Sequence, residues 1–249
     1  MQVHQTTGGF HPPVVYEIYL KEFIMAIRGL IFDFDGLILD TETPEFEVWQ
    51  EVFQLYGQSL PLSEWQAALG ASFAAFDPVN YLSGKLNQPL DHTAIHADHR
   101  KRSLDRIYLE PAQPGIAETL QLARTYGLKL GIASSSPLSW VEPLLRHLAL
   151  FEFFDQIVCR DHVTKIKPHP ELYLRCTAEL GLTGAEVIIF EDSPNGIRAA
   201  NAAGIFCVAI PNTLTRQLNI SHADLILEQI NAIPFEELLL CPFQAARPE

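Results

Sequence analysis

The chain has 249 residues, of which 48% are hydrophobic and 19% charged, a balance that is typical of a globular protein with a substantial apolar core. Its 30 acidic and 17 basic residues give a formal net charge of −13, and no stripe of lysine and arginine indicates a nucleic-acid surface. No apolar run reaches the roughly 18 residues that a membrane-spanning helix needs, so we expect neither a membrane nor a nucleic-acid partner.

The first part of the chain and the cysteines give two further expectations. Residues 1–24 mix glycine and proline pairs with a short apolar run, and we predict them to be an N-terminal extension. The cysteines form no CxxC pair and have no spacing typical of zinc ligands; they are Cys159, Cys176, Cys207 and Cys241. Thiols of this kind fit a reducing compartment, so we expect the protein in the cytoplasm.

Short apolar segments and amphipathic helices alternate through most of the chain. Strands are predicted at 27–32, 128–133, 156–158, 187–190 and 205–210. Helices are predicted between and after them, at 115–126, 138–147, 171–180 and 195–203. This alternation is typical of βαβ units, so we predict an α/β protein whose Rossmann-like parallel sheet has helices on both faces.

The region between the first two strands breaks this alternation. Helices without intervening strands are predicted at 45–56, 62–69, 75–86 and 93–108. Pro44 suits the first turn of the first of these helices, and Gly57 suits its end. We therefore predict a helical cap at 41–111, inserted into an α/β core formed by 25–40 and 112–235, with a C-terminal tail at 236–249.

Polar side chains follow the predicted strands, at the edge where ligands of open parallel sheets bind. In chain order these residues are Asp33, Asp35, Ser134, Ser135, Lys167, Glu191 and Asp192. Each alone is typical of a turn or a helix cap. Two carboxylates about 4 Å apart, however, repel by roughly 4 kcal/mol at an effective dielectric constant near 20. Convergence of four therefore predicts a hard cation with oxygen ligands, and magnesium is the natural candidate.

These segments resemble the signatures of a known family. The sequence DFDGLILDTE at 33–42 resembles the first signature of the haloacid dehalogenase superfamily of phosphotransferases. The strand end at Ser134, Lys167-Pro168 and Glu191-Asp192 resemble its second, third and fourth signatures in the same order. The sequence EDSPNGIRAANAAG at 191–204 is characteristic of the β-phosphoglucomutase-like phosphatase branch. The resemblance covers 25–210 and includes the position of a helical cap.

The resemblance implies a magnesium-dependent phosphatase that hydrolyses a small phosphomonoester, such as a sugar phosphate, through an aspartyl-phosphate intermediate. Asp33 would attack phosphorus, and Asp35 would protonate the leaving oxygen and later deprotonate the hydrolytic water. Asp35 would contribute its backbone carbonyl to the metal and Glu191 would assist directly or through water, so that the implied magnesium-binding residues are Asp33, Asp35, Glu191 and Asp192.

The same resemblance assigns the groups that bind the phosphoryl oxygens. Ser134, Ser135 and nearby backbone N–H groups would hold these oxygens, and Lys167 would neutralise the charge shared between phosphate and nucleophile. Lys165 could also fill this last role, but Lys167 is favoured because it is followed by Pro168.

The cap is expected to select the substrate. Candidate substrate-binding residues are Glu45, Trp49, the 69–72 turn with Gly70, and Lys101. Mutases of this branch carry a histidine in the first cap helix and basic residues around the substrate loop, whereas this chain has Glu45 or Phe46 in the helix and no cation in the loop. This departure favours hydrolysis. A phosphosugar mutase and a catalytically silent binding protein on the same fold stay open as alternatives, and we expect a monomer.

The remaining cap residues receive structural interpretations. Three histidines share a helix face by their spacing, and we predict surface imidazoles in preference to metal ligands for His92, His96 and His99. Helical spacing predicts that the cap core contains Trp49, Phe53 and Tyr56. The basic run at 100–102 is predicted to be a solvated helix face.

Overall fold

A computed structural model describes residues 26–65 and 76–245 of the chain. Within them, six strands form one parallel sheet in the order β3-β2-β1-β4-β5-β6. In chain order these are β1 (Gly29–Phe32), β2 (Lys129–Ala133), β3 (Gln156–Val158), β4 (Val187–Glu191), β5 (Phe206–Ala209) and β6 (Leu225–Ile226). The predicted extension at 1–24 and the 69–72 turn with Gly70 lie outside the described residues.

The register of the central strands brings the predicted site together. Phe32 at the end of β1 is paired with Ile132 of β2 on one side and Phe190 of β4 on the other. All four residues of β1 are buried, which fits an apolar run covered on both faces. Because the three strands are parallel and end at the same level, the residues that follow them lie at one edge of the sheet.

Among the described residues, the cap consists of four helices that follow β1: α1 (Glu42–Leu55), α2 (Leu62–Trp65), α3 (Pro78–Leu86) and α4 (His92–Ile107). The ring of Trp49 in α1 stacks on His99 of α4 with centroids 4.0 Å apart. The first turn of α3 is capped by Asp77, and that of α4 by Asp91, each through its side-chain oxygen. The cap is therefore held together mainly by the α1–α4 contact.

Two predictions for the cap are wrong in part. His99 is buried, not a surface imidazole, because its ring is stacked between helices. Tyr56 is 36% exposed at the end of α1, whereas its predicted core partners are buried. The basic run is also not simply solvated, since Arg102 forms an ion pair with Glu51 of α1.

Helices of the core cover both faces of the sheet: α5 (Ile116–Thr125), α6 (Leu138–His147), α7 (Glu171–Glu179), α8 (Pro194–Ala203) and α9 (Phe235–Ala245). Alternate residues of β1 point to opposite faces, so that Phe32 packs in the cluster with α5, α6 and α9 while Ile31 packs with α7 and α8. The predicted α/β fold is confirmed.

Two details of the predicted core differ from the structure. The predicted tail at 236–249 is wrong for its first residues, because Leu238 and Leu239 of α9 are buried in the core cluster. Strand β6 was not predicted, since its two residues are too short for an alternating pattern to show. No helix in the described ranges combines the length and hydropathy that crossing a bilayer requires.

Candidate active site

Asp33 lies at the end of β1, where its backbone N–H donates to the carbonyl of Phe190 at 3.0 Å and continues the ladder with β4. Its side chain is only 10% exposed. Three residues on, Gly36 has φ +82°, and a Cβ there would lie 2.4 Å from Oδ2 of Asp192. Glycine is therefore required at position 36, where the chain turns against the carboxylate of Asp192.

A buried lysine pairs with Asp33. Nζ of Lys167, in the loop after β3, lies 2.5 Å from Oδ1 of Asp33 and 2.6 Å from Oε1 of Glu191. Burial lowers the pKa of Lys167, but the charges of Asp33 and Glu191 outweigh it and the pKa is raised, so the lysine is charged. Lys165, its predicted competitor, is exposed. The structure thus brings Lys167 and not Lys165 to Asp33.

Glu191 is fully buried, and both of its oxygens are engaged. Oε1 accepts from Lys167 and from the hydroxyl of Tyr173 at 2.5 Å. Oε2 accepts from the backbone N–H groups of Asp192 and Ser193 at 3.0 and 3.1 Å and from the Ser193 hydroxyl at 3.1 Å. These donors occupy the lone pairs that a metal would need. Glu191 therefore anchors Lys167, and of the two predicted modes of assistance to the metal, direct or through water, these contacts favour the one through water.

Asp192 has one oxygen that lacks a partner. Its Oδ2 accepts from Nδ2 of Asn212 at 2.9 Å, whereas its Oδ1 is buried and has no hydrogen-bond partner within the described residues. Carboxylate oxygens of Asp33, Glu191 and Asp192 all lie within 4.8 Å of one another. An orphaned anionic oxygen in such a cluster is what a hard divalent cation with oxygen ligands fits.

The electrostatics of this cluster support the same conclusion. Burial raises the pKa of Asp33 to about 7, although Lys167 opposes the shift. Burial also raises the pKa of Asp192 well above its ordinary value, and the charge of Glu42 adds to this effect. Carboxylates that resist ionisation in the protein alone would be kept ionised by a bound cation.

Asp35 lies outside this cluster and accepts hydrogen bonds from four side chains. Its Oδ1 accepts from Thr41 at 2.9 Å and from the indole Nε1 of Trp140 at 2.8 Å. Its Oδ2 accepts from Ser136 at 2.6 Å and from Ser134 at 3.3 Å. These contacts fix the side chain in one place. Sequence reasoning missed Trp140, because nothing in a helical segment 105 residues away indicates a partner for this carboxylate.

The two predicted serines directly follow β2, and the hydroxyl of Ser134 reaches Asp35. The backbone N–H of Ser134 donates to Val158 of β3 at 3.0 Å, and its hydroxyl accepts from the N–H of Ser136 at 3.0 Å. The hydroxyl of Ser135 is buried without a hydrogen-bond partner in the part of the chain that the structure describes. An unpaired buried donor at this edge suits a ligand oxygen.

The cap contributes two ionisable groups, one near Asp35 and one at its partner Trp140. Glu45 of α1 is half-buried, and its pKa is raised to about 8 by burial and then by the charge of Asp35, with Arg100 opposing the shift. The guanidinium carbon of Arg100 on α4 lies 5.4 Å from the ring centroid of Trp140. Lys101 is exposed and has no ion pair or hydrogen bond among the described residues. The cation that approaches the core is thus Arg100, which we did not predict.

One further residue that the sequence did not single out, Asn212, supports Asp192 and also reaches Glu42. Asn212, in the loop after β5, places Nδ2 2.9 Å from Asp192, 3.3 Å from Oε2 of Glu42 and 3.4 Å from the carbonyl of Gly36. Burial raises the pKa of Glu42 well above its ordinary value, although the Asn212 amide opposes the shift. Asn212 therefore connects the loop after β1, the start of α1 and Asp192.

Comparisons with known proteins agree with this architecture. The sequence profile of the haloacid dehalogenase-like hydrolases matches residues 30–210. The Bacillus subtilis protein YhcW is 44% identical over 213 residues, which are 86% of this chain and 96% of that protein. The phosphorylated carbohydrates phosphatase of Thermotoga maritima is 31% identical over 181 residues, 72% of this chain and 82% of the relative.

A solved structure shows the same fold. The β-phosphoglucomutase of Clostridium difficile superposes with a TM-score of 0.70 over 88% of this chain and 98% of that one, at 24% sequence identity. At this identity the likeness concerns the fold alone. The matched profile, in contrast, spans the strands and loops that carry Asp33, Lys167, Glu191 and Asp192. The chain belongs to the haloacid dehalogenase-like hydrolases and is an enzyme of that family.

Proposed function

We propose that the protein is a magnesium-dependent phosphatase that hydrolyses a small phosphomonoester, a sugar phosphate or similar metabolite, through an aspartyl phosphate on Asp33. One observation carries the proposal. A buried ammonium group lies 2.5 Å from the Asp33 carboxylate, beside an Asp192 oxygen that has no partner within the described residues. This arrangement supports the proposed roles of Asp33 as nucleophile, Lys167 as charge-neutralising group and Asp192 as cation ligand.

The cation site fits magnesium by its donor set. Asp33 and Asp192 would hold the ion through carboxylate oxygens, with the backbone carbonyl of Asp35 as the ligand that the family resemblance implies. When bound, the ion would neutralise the carboxylates and polarise the phosphoryl group of the substrate. Glu191 would contribute indirectly, because its oxygens already hold Lys167, Tyr173 and backbone N–H groups.

The chemical steps follow from the two aspartates of the loop after β1. An oxygen of Asp33 attacks phosphorus and the bond to the leaving oxygen breaks, while Lys167 stabilises the charge on the transferring group. Asp35 gives its proton to the leaving oxygen. It then takes a proton from the water that attacks the aspartyl phosphate, which releases inorganic phosphate and restores the Asp33 carboxylate.

The contacts of Asp35 support this double role. Thr41 and Trp140 hold Oδ1, whereas only serine hydroxyls approach Oδ2. Hydroxyl groups can reverse their hydrogen bonds and accept a proton donor, but an indole N–H cannot. We therefore assign the transferred proton to Oδ2, and we assign Trp140 as the positioning residue that keeps Oδ1 out of the reaction.

The proposed substrate class rests on a relative and on the cap. The Thermotoga maritima relative is a phosphatase of phosphorylated carbohydrates by name, and its matched region includes most of this chain. Glu45 stands near Asp35, where a carboxyl group can bind substrate hydroxyls. We expect a monomeric cytoplasmic enzyme whose partner is a small phosphorylated metabolite, with no nucleic acid and no membrane.

The proposal is tested by phosphate release from a panel of sugar, polyol and nucleotide monophosphates. We expect turnover of at least one sugar phosphate with Mg²⁺, loss of turnover with excess EDTA, and loss in Asp33→Asn. The matched control is Asp98→Asn, an exposed cap aspartate paired with Arg102, which keeps wild-type turnover. No release by the wild type from the whole panel, or full activity in Asp33→Asn, would contradict the proposal.

A phosphosugar mutase is the second candidate, and one observation favours it. Arg100 brings a cap cation within 5.4 Å of the Trp140 ring, so the cap does not lack the positive charge that a second phosphate needs. The two activities separate in one assay with a hexose monophosphate. A mutase is activated by catalytic amounts of a hexose bisphosphate and accumulates the isomeric phosphate, whereas a phosphatase releases inorganic phosphate at a rate that the bisphosphate does not increase.

A further inference from the structure

A second group of potential metal ligands lies in the cap, where the starts of α3 and α4 meet. Asp77 precedes α3, and His92 and His96 occupy the first two turns of α4. Oδ1 of Asp77 lies 3.4 Å from Nε2 of His96, and Oδ2 lies 3.7 Å from Nδ1 of His92. One ligand atom from each residue lies within 4.8 Å of the other two. The group is separate from the Asp33 cluster.

We propose that Asp77, His92 and His96 form a binding site for a borderline transition-metal ion such as Zn²⁺. Two ligand atoms at about 2.0–2.1 Å from a tetrahedral ion are about 3.4 Å apart. Each imidazole nitrogen lies close to this distance from one oxygen of the Asp77 carboxylate: His96 at 3.4 Å from Oδ1 and His92 at 3.7 Å from Oδ2. Three protein ligands leave a fourth position for water or another group, as in many zinc sites.

The donor set selects the metal. Two neutral imidazole nitrogens and one carboxylate suit zinc and its neighbours, whereas magnesium prefers oxygen ligands alone. The protein would then carry two cation sites of different preference, an oxygen site in the core and a nitrogen–oxygen site in the cap. The third histidine of the α4 face, His99, is excluded because its ring is buried against Trp49.

Helix capping alone does not explain the arrangement. Asp77 caps α3 through Oδ1, which accepts from Val79 at 2.8 Å and Asn80 at 3.2 Å, and these bonds do not require the histidines. Exposed ion pairs contribute about 0–1 kcal/mol and do not by themselves bring three groups to one point. Trp49 also meets the His96 ring edge-on at 5.4 Å, which orients the imidazole.

The site is accessible from solvent. The side chains of His92, His96 and Asp77 are 41%, 36% and 28% exposed, so an ion can enter without unfolding of the cap. A bound ion would connect the start of α3 to the start of α4. It would therefore stabilise the cap by mass action, since the unfolded chain does not present the three ligands together.

The test is zinc binding by the full untagged chain, stripped of metal and titrated calorimetrically with ZnCl₂ in saturating MgCl₂. Magnesium competes with zinc for the proposed carboxylate site of the core, and a loss of zinc binding in variants of the cap alone assigns that ion to the cap. The variants are His92→Ala and Asp77→Asn, the second of which keeps an oxygen to cap α3. The control is His169→Ala, which removes a histidine that faces Glu171 at 3.8 Å elsewhere in the protein.

We expect one zinc ion per chain in the wild type and the control, and binding weaker by at least about tenfold in both variants. Titration with Co²⁺ should give visible absorption bands of a nitrogen-ligated ion in the wild type that the two variants lose. Equal zinc affinity in wild type and both variants, or no binding by the wild type, would overturn the proposal without affecting the phosphatase assignment.

Discussion

The core and the cap place their functional side chains in different ways. In the core, Asp33 and Glu191 belong to neighbouring parallel strands whose register fixes their separation, and both are buried in a paired network. In the cap, Glu45 and Arg100 approach the same region from two helices and are more exposed. The register of paired strands fixes the distance between their residues, whereas the position of a side chain on a helix changes with the way the helix packs. Changes in the core should therefore abolish the reaction, and changes in the cap should alter its efficiency or the stability of the protein.

The largest effect is expected for Lys167→Met, which keeps the volume of the side chain and removes its charge. The Asp33 and Glu191 carboxylates then face each other unpaired, and the transferring phosphoryl group loses its cation. We expect kcat to fall by about 10²–10³-fold and the free energy of unfolding to fall by about 3–5 kcal/mol, as for a broken buried ion pair. Steady-state kinetics and urea unfolding measure the two effects.

The control for this substitution is Lys165→Met, two residues earlier and exposed, which should retain wild-type kinetics and stability. If Lys165→Met lost turnover and Lys167→Met did not, Lys165 and not Lys167 would be the lysine that assists Asp33.

The next effect is expected for Trp140→Phe, which preserves the aromatic ring and removes the indole N–H. A hydrogen bond to a charged group is worth about 1.5–3 kcal/mol, so kcat should fall by about tenfold or more. KM should stay within about twofold, because the lost contact is to Asp35 and not to the substrate. A change in KM with unaltered kcat would show instead that the indole binds substrate, and Trp140 would lose its role as a positioning residue.

A third prediction concerns the stability of the cap at low pH. Burial lowers the pKa of His99 to about 4, although the Glu45 carbonyl opposes the shift. The unfolded histidine, with a pKa near 6.5, binds a proton between these values while the folded one does not. Stability therefore decreases as pH falls from about 6.5 to about 4, by up to about 3 kcal/mol.

His99→Gln should remove this part of the acid sensitivity, as seen by urea unfolding at pH 7 and pH 4.5. The control is His147→Gln, an exposed histidine whose Nε2 lies 2.9 Å from the Tyr108 carbonyl. An equal loss of stability at low pH in wild type and His99→Gln would contradict the assignment.

The smallest effect is expected for Arg100→Gln in the cap. An exposed cation–π contact is worth about 0.5–1 kcal/mol, so kcat/KM for a sugar phosphate should decrease by about two- to fivefold. The matched control is Lys101→Gln, at the neighbouring exposed position that the sequence analysis gave as a candidate. A larger loss in Lys101→Gln than in Arg100→Gln would reverse the choice of cation.

Some parts of the site were predictable from the sequence and others were not. The strand ends were predictable, because apolar runs followed by Asp33, Ser134 and Glu191 mark one edge of a parallel sheet. Partners that come from distant segments were not. Trp140 and Asn212 hold Asp35 and Asp192 across 105 and 20 residues, and no periodicity specifies which side chain of a helix or loop will reach a given carboxylate.

The cap illustrates the same limit. Helical spacing placed His92, His96 and His99 on one face, but a face of α4 is wide enough to carry both buried and exposed positions. The sequence does not specify that α1 covers His99 and that Asp77 reaches the other two. The tail prediction failed for a related reason: whether the apolar side of 235–242 packs on the sheet depends on space that other elements leave.

The central claim is that the phosphoryl group passes through Asp33. Rapid quenching of the wild type and of Asp35→Asn during turnover, followed by mass spectrometry of the digested protein, tests it directly. We expect one added phosphoryl group on the peptide that contains Asp33 in the wild type and none in Asp33→Asn. In Asp35→Asn, once substrate is exhausted, this group should be lost more slowly, because no carboxylate activates the attacking water. Phosphate release without any phosphorylated peptide, or a phosphoryl group on a different residue, would contradict it.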